Sequence, residues 1–182
     1  MSRYLLAVLA GVIAFICGST GAFAQSYGDL VPGGSGTVTF TLDGKTRTVP
    51  ARAYLTDGRL FIHALWVEDS SVRFGKAGLA STLMLRVKGL AGEYMIGPNS
   101  DSPMLSLQYN GGTPPRMYVI LRADGMGASG GSGKVAVIGM SHQRAEGAFE
   151  VTGFDVNNPS FTRSVSGNFA VEFKRIGEVA GE

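Results

Sequence analysis

Two histidines, His63 and His142, are the side chains of this 182-residue chain best suited to acid–base or metal chemistry near neutral pH. A metal site would need both to converge with a carboxylate, and nothing in their spacing indicates that they do. A serine hydrolase would need one of them beside Ser129, which lies in a formal G-x-S-x-G match at 127–131. A loop of small residues with no helix after it does not hold a nucleophile in the required turn. We therefore expect no catalytic residue, no metal and no cofactor.

His63 lies in the run "LFIHALW" at 60–66, where side chains alternate between two faces of a predicted strand. Trp66 shares a face with Leu60 and Ile62, and His63 is on the opposite face. Both faces are apolar, so the strand is either central in its sheet or has one face on a cavity. His63 is then either a core histidine hydrogen-bonded to backbone or, with Trp66, a polar handle of a ligand pocket. His63 and Trp66 are the predicted ligand-binding residues, although one pocket holds both only if a bulge intervenes.

The elements that would position these residues are strands, because apolar and polar residues alternate from Gly36 almost to the end of the chain. Asp43-Gly44 and Asp57-Gly58 each separate two alternating runs, which predicts two hairpins. Pro50, which has no N–H to donate to a ladder, is expected at a sheet edge or at a strand start. The pattern predicts an antiparallel β-sandwich of about ten short strands. A closed, lipocalin-like β-barrel is the alternative.

A short phrase occurs twice near the C-terminus, as "GAFEV" at 147–151 and as "GNFAVEF" at 167–173. In the first copy Gly147, Phe149 and Val151 share one face, and in the second Phe169 and Val171 do so. This alternation is typical of half-buried antiparallel strands. The two copies are therefore predicted to be core strands, neighbours in one sheet, without chemistry of their own.

Three stretches also carry a family resemblance: the opening "GTVTFTLDGKTRTVPARAY", the run "GEYMIG" and the closing "VTGFDVNNPSFTRSVSGNFAVEF". The chain resembles a domain-of-unknown-function family of small exported bacterial β-proteins over most of residues 36–174. The resemblance implies export and an all-β fold. It implies no activity and no functional residues.

The N-terminus has the layout of a secretory signal peptide, with Arg3, an apolar run and a small-x-small site at Ala22-Phe23-Ala24. We expect a signal peptide at 1–24 with cleavage after Ala24, a leader at 25–35, one all-β domain at 36–176 and a polar tail at 177–182. The protein is then periplasmic or secreted, and no membrane span remains after cleavage. The single cysteine, Cys17, lies in the signal, so the mature domain is predicted to be disulfide-free.

Charge sets limits on the partners. The chain has 16 Lys and Arg against 14 Asp and Glu, with the basic residues scattered along it. Nucleic-acid binding needs a concentrated basic stripe, so no nucleic-acid partner is expected. The leading hypothesis is an exported non-enzymatic β-domain that binds an unknown small ligand or envelope partner, or has a structural role in the envelope. The alternatives are a carrier barrel for a small hydrophobic ligand and an unrecognised periplasmic hydrolase that uses His63 or His142.

Overall fold

The computed structural model describes residues 33–67, 80–97, 102–109, 116–119, 131–155 and 158–176. The predicted signal peptide, most of the predicted leader, Ser129 and the predicted tail lie outside the described residues. The described part contains eleven strands. In chain order they are β1 Gly34–Leu42, β2 Lys45–Thr56, β3 Arg59–Val67, β4 Ala80–Lys88, β5 Gly92–Met95, β6 Met104–Tyr109, β7 Arg116–Val119, β8 Ser132–Met140, β9 Arg144–Asp155, β10 Asn158–Glu172 and β11 Lys174–Arg175.

The strands form one strongly curled sheet in the order β10-β1-β2-β3-β4-β6-β7-β9-β8-β5. Neighbours in this order are antiparallel, and the short β11 adds a parallel pairing to β2. β9 also pairs with β10 along nearly its whole length. The prediction of an antiparallel all-β domain is confirmed. Among the described residues, no helix is long and apolar enough to cross a membrane.

The two Asp-Gly hairpins are present where the sequence predicts them. Asp43 and Gly44 have φ of 50° and 75°, and Asp57 and Gly58 have φ of 49° and 68°. Two consecutive residues with positive φ make the tight turn whose twist matches antiparallel strands. β1 starts at Gly34, two residues before the expected domain boundary, because Gly34 and Ser35 already pair with β2.

Pro50 does not begin a strand, which was one of the two expectations for it. It lies inside β2, opposite Thr37 of β1. The ladder between β2 and β3 ends at the pair Ala51–Ala64, so no β3 residue pairs with Pro50. The edge of β2 that faces β3 is thus without a ladder at this point, and a residue without an N–H is tolerated there.

The core lies on the inner face of the curled sheet, and every second residue of the long strands contributes to it. Its Val, Leu, Ile, Ala and Phe side chains are at most 7% exposed. Transfer of apolar surface of this kind out of water is the dominant favourable term in folding. The outer face, which carries the intervening residues, is where polar and functional side chains of such a sheet are found.

The repeated phrase forms two neighbouring core strands, as predicted. β9 and β10 pair antiparallel, with Gly147 opposite Phe169 and Phe149 opposite Gly167. Each copy therefore places its phenylalanine opposite the glycine of the other copy. Phe149 and Phe169 are 3% and 2% exposed. The glycines leave the space that the opposite rings occupy, which is the physical reason for the repeat.

Candidate functional site

The outer face of the β1–β2 hairpin has an ordinary solvated surface of threonines, and the β9–β10 pair adds a similar contact. Hydroxyl groups bridge the strands in pairs: Thr39 with Thr48 at 2.9 Å, Thr41 with Thr46 at 2.9 Å and Thr152 with Ser164 at 3.0 Å. Cross-strand hydroxyl pairs of this kind stabilise a sheet modestly and satisfy their own hydrogen bonds. These two outer surfaces are fully accounted for by sheet structure.

The outer face of β2, β3 and β4 is different, because it carries cations and aromatic rings. Leu60, Ile62 and Val87 point into the core, so their sequence neighbours point outwards. We call the resulting surface the basic–aromatic face. Its members are Arg52, Tyr54, Arg59, Phe61, His63, Arg86 and Lys88.

Strand register arranges this face in rows. Arg59 of β3 is opposite Lys88 of β4, and Phe61 is opposite Arg86. On the other side of β3, Tyr54 of β2 is opposite Phe61. All of these except Lys88 are half-buried. Residues up to thirty-six positions apart in the sequence therefore share one small surface.

Three rings stack across β2 and β3. The centroids of Tyr54 and Phe61 are 4.9 Å apart with an interplanar angle of 7°. The centroids of Tyr54 and His63 are 5.7 Å apart at 17°. Ring contacts at these distances add a favourable term beyond area burial. They also restrict the rings, so the face is preorganised.

His63, one of the two predicted ligand-binding residues, belongs to this stack. Burial lowers the pKa of His63 below its ordinary value of 6.5, which favours the neutral imidazole. Its Nε2 atom is buried and has no hydrogen-bond partner among the described residues. His63 therefore combines a stacked ring with a buried nitrogen atom that could form a hydrogen bond.

Trp66, the other predicted ligand-binding residue, lies on the inner face and packs against the core. Its ring meets Phe40 edge-on, with centroids 5.0 Å apart and an interplanar angle of 60°. The structure thus places His63 and Trp66 on opposite faces of β3, as the alternation requires. They do not form one site.

Arg47 joins the inner cluster of Trp66 and was not identified from the sequence. Its guanidinium carbon is 5.9 Å from the ring centroid of Phe40 and 5.5 Å from that of Tyr109. Nη1 donates to the carbonyl oxygens of Leu42 at 3.3 Å and Lys45 at 3.0 Å. Arg47 is in phase with the buried residues of β2, a signal that the alternation of the sequence does contain. Its contacts make it a clasp between β1, β2 and β6.

A groove opens beside the Asp57-Gly58 turn, at one end of the basic–aromatic face. The described residues that line it are Asp57, Gly58, Arg59, Arg86, Val87, Lys88 and Ser102. The amide of Gly89 donates to the carbonyl of Gly58 at 2.8 Å and holds the turn against the end of β4. Three of these lining residues are cations and one is an acid. The described lining residues therefore carry more positive than negative formal charge.

This clustering of charge was missed in the sequence, where the basic residues are scattered. Arg52 and Arg59 are on one hairpin, whereas Arg86 and Lys88 follow on another strand. Only the register of β3 with β4 brings the two sets together. The alternation of the sequence predicts which way each side chain points, but it does not predict which strands are neighbours.

His142, the second histidine considered in the sequence, is not part of the basic–aromatic face. His142 is exposed in the turn between β8 and β9, and β3, which carries His63, pairs with β2 and β4. Among the described residues, no group of three or more His, Cys, Asp or Glu side chains could hold a metal ion.

Comparison of the chain with known proteins identifies no relative. No family model, no curated protein and no solved structure matches the chain. The family resemblance therefore stays a prediction.

Proposed function

We propose that this chain is an exported, non-enzymatic binding domain whose binding surface is the basic–aromatic face. Export rests on the signal-peptide pattern that ends at Ala24. The ligand is a molecule with negative charge, because the face presents arginine and lysine side chains around its rings. Arginine forks suit carboxylate, phosphate and sulfate groups, and stacked rings suit flat or apolar portions of a ligand.

One observation carries the proposal: the contrast between outer faces of the same sheet. The β1–β2 face consists of hydroxyl pairs that satisfy one another. The face of β2, β3 and β4 instead places Arg59 opposite Lys88 and Arg86 opposite Phe61, beside the stacked rings of Tyr54 and Phe61. Aromatic and arginine residues are enriched at interaction surfaces. A surface that gathers arginines, a lysine and stacked rings on one part of the sheet is best explained by binding.

The strand pairings support a barrel more than the sandwich as the architecture of this domain. Going from β10 through β1, β2, β3, β4, β6 and β7 leads to β9, which pairs with β10 again. Closure of this ring would depend on the contact between β7 and β9, which has two residue pairs. Small barrels of this kind are filled by side chains.

The packing of the inner face speaks against a carrier of hydrophobic ligands. Accessible surface includes the walls of any internal cavity wide enough for water. Leu60, Ile62, Leu107 and Val135 are 0% exposed, and most core residues around them are at most 2% exposed. Among the described residues, these side chains are closely packed and leave no accessible surface at their positions for a carried ligand. We therefore propose that the ligand binds on the outer face of the sheet.

The composition of the groove favours binding over hydrolysis. Its described lining has a single carboxylate, Asp57, beside three cations. General acid–base catalysis of hydrolysis commonly uses a second carboxylate or a histidine across the substrate. His63 is stacked on Tyr54 and lies two residue rows from Arg59 along β3. Arginine and lysine side chains that recognise charge, with no paired acid and base among the described lining residues, are typical of a binding protein.

A panel of immobilised neutral and anionic oligosaccharides and lipid headgroups tests the proposal. The exported protein should be retained on at least one anionic member. The variant Arg52→Ser/Arg86→Ser should lose that retention. The control variant Thr39→Ser/Thr48→Ser, on the outer face of the β1–β2 hairpin, should keep it. Retention that is equal in both variants, or absent from the whole panel, would overturn the proposed function. A parallel assay with generic esters should show no turnover.

A further inference from the structure

We propose that the groove beside the Asp57-Gly58 turn is an oxyanion site that takes the phosphate or sulfate group of a ligand. The inference rests on the proposed function and names the chemistry that its surface recognises. Arg59, Arg86 and Lys88 would hold the anion, and the neighbouring ring of Phe61 would contact the group that carries it.

The geometry of the three cations carries the first part of the argument. Arg59 and Lys88 are direct cross-strand partners, and Arg86 is two residues from Lys88 on the same face of β4. Partners of this kind are about 5 Å apart at their Cβ atoms, and diagonal neighbours are about 7–8 Å apart. One tetrahedral anion above these positions is within reach of all three side chains. Guanidinium and ammonium N–H groups are the donors that such an anion prefers, and each guanidinium has several of them.

The turn supplies the second part, because it leaves the groove open. Gly58 has a φ of 68°, and a Cβ atom added to it would meet none of the described atoms within 4 Å. The described residues therefore leave that wall of the groove free for a ligand. Asp57, the one acid among the described lining residues, lies next to it and is exposed. Its carboxylate would repel an incoming anion and so reduce the affinity.

The class of ligand follows from what borders the groove. Phe61 is directly opposite Arg86 and stacks on Tyr54. An anion bound between the cations therefore has an aromatic surface beside it. A phosphate or sulfate ester of a ring compound fits this arrangement better than a free inorganic ion. The expected order of affinity is phenyl phosphate above inorganic phosphate.

Titration of the isotope-labelled exported protein, followed by NMR at constant ionic strength, tests the site. The probes are inorganic phosphate, inorganic sulfate, phenyl phosphate and, in a separate arm, vesicles that contain phosphatidylglycerol. We expect phosphate and sulfate to shift the signals of Gly58, Arg59 and Lys88 with a saturable curve. A stronger response to phenyl phosphate identifies a soluble ester as the source of the anion, and a stronger response to vesicles identifies a lipid headgroup.

Matched variants separate a built site from general charge. Lys88→Gln should weaken phosphate binding about two- to fivefold, the effect of losing one exposed ion pair. Asp57→Asn should strengthen binding by a similar factor, because asparagine keeps the left-handed turn and removes the repulsion. The controls are Lys45→Gln and Asp43→Asn, at the other Asp-Gly turn, where φ of the aspartate is 50°. Neither control should change the affinity.

Shifts spread evenly over all lysines and arginines, or an Asp57→Asn variant with unchanged affinity, would overturn the oxyanion site. If the protein is retained on the anionic panel through Arg52 while phosphate leaves the groove signals unmoved, the inference fails and the proposed function stands. If the groove binds phosphate but no panel member depends on the face, the proposed function fails and the anion site stands.

Discussion

Replacing Gly147 by alanine tests the explanation of the repeated phrase, because two opposing effects of known size decide the sign of the result. On backbone grounds the change should help, since glycine inside a strand costs about 0.5–1 kcal/mol relative to alanine. On packing grounds it should hurt. A Cβ atom at position 147 would overlap Cζ of Phe169 and the carbonyl oxygen of Ala136 on β8, and it would be 2.8 Å from Cε1 of Phe169.

The ring of Phe169 is 2% exposed and has no free space to turn into. The carbonyl of Ala136 belongs to a paired strand and moves only with its backbone. Overpacking of this kind costs about 1–3 kcal/mol. Subtracting the backbone gain leaves a loss of about 0–2.5 kcal/mol. Because one of the overlapped atoms is the backbone carbonyl oxygen of Ala136, we expect Gly147→Ala to fall in the upper part of that range, about 1–2.5 kcal/mol.

Urea denaturation followed by far-UV circular dichroism measures the effect, and Gly97→Ala is the control. Among the described residues, a Cβ atom at Gly97 would meet only Oγ of Ser102, at an ordinary 3.6 Å. Its unfolding free energy should stay within about 0.5 kcal/mol of the starting protein. If Gly147→Ala proved as stable as Gly97→Ala, the interpretation of the repeat as a reciprocal glycine–phenylalanine fit would be wrong.

Three further predictions follow from burial and contacts. Phe149→Ala should lower the unfolding free energy by about 3–5 kcal/mol, and Glu150→Ala should lower it by well under 1 kcal/mol. If the urea midpoint fell further for Glu150→Ala than for Phe149→Ala, the assignment of inner and outer residues on β9 would be wrong by one position. Arg47→Ala should lower the unfolding free energy by about 1–3 kcal/mol, because two hydrogen bonds to backbone carbonyls and two ring contacts are lost. An unchanged thermal midpoint would contradict the role of Arg47 as a clasp between β1, β2 and β6. Because burial lowers the pKa of His63, the unfolded chain takes up a proton below pH 6.5 more readily than the folded one. The contribution of His63 to the free energy of unfolding should therefore be fully present above pH 6.5 and fall as the pH drops from 6.5 to the lowered pKa of the folded state. His63→Gln should remove that part of the pH dependence of stability.

The local structure of this domain could be predicted from its sequence, and the candidate site only in part. Asp57-Gly58 specifies its own turn, because the conformation depends on residues that are adjacent in the chain. Alternation places His63 and Trp66 on opposite faces of β3, but because both faces are apolar it does not show which of them is the outer one. The pairing of Arg59 with Lys88 depends on which strands meet and in which register, and that is decided by packing of the whole core. For the same reason Pro50 could not be placed, since its tolerance depends on where the β2–β3 ladder stops.

The reciprocal fit of β9 and β10 makes the repeated phrase self-complementary: an antiparallel copy of the phrase fits against itself. Within the sheet this property is harmless, because both strands are interior ones. β10 pairs with β9 and β1, and β9 has β10 on one edge with β8 and β7 on the other. Unpaired strand edges are templates for association with other chains. Loss of β8 from its edge would therefore expose a strand that matches its counterpart in a second molecule, so the β8–β9 ladder also protects the protein from aggregation.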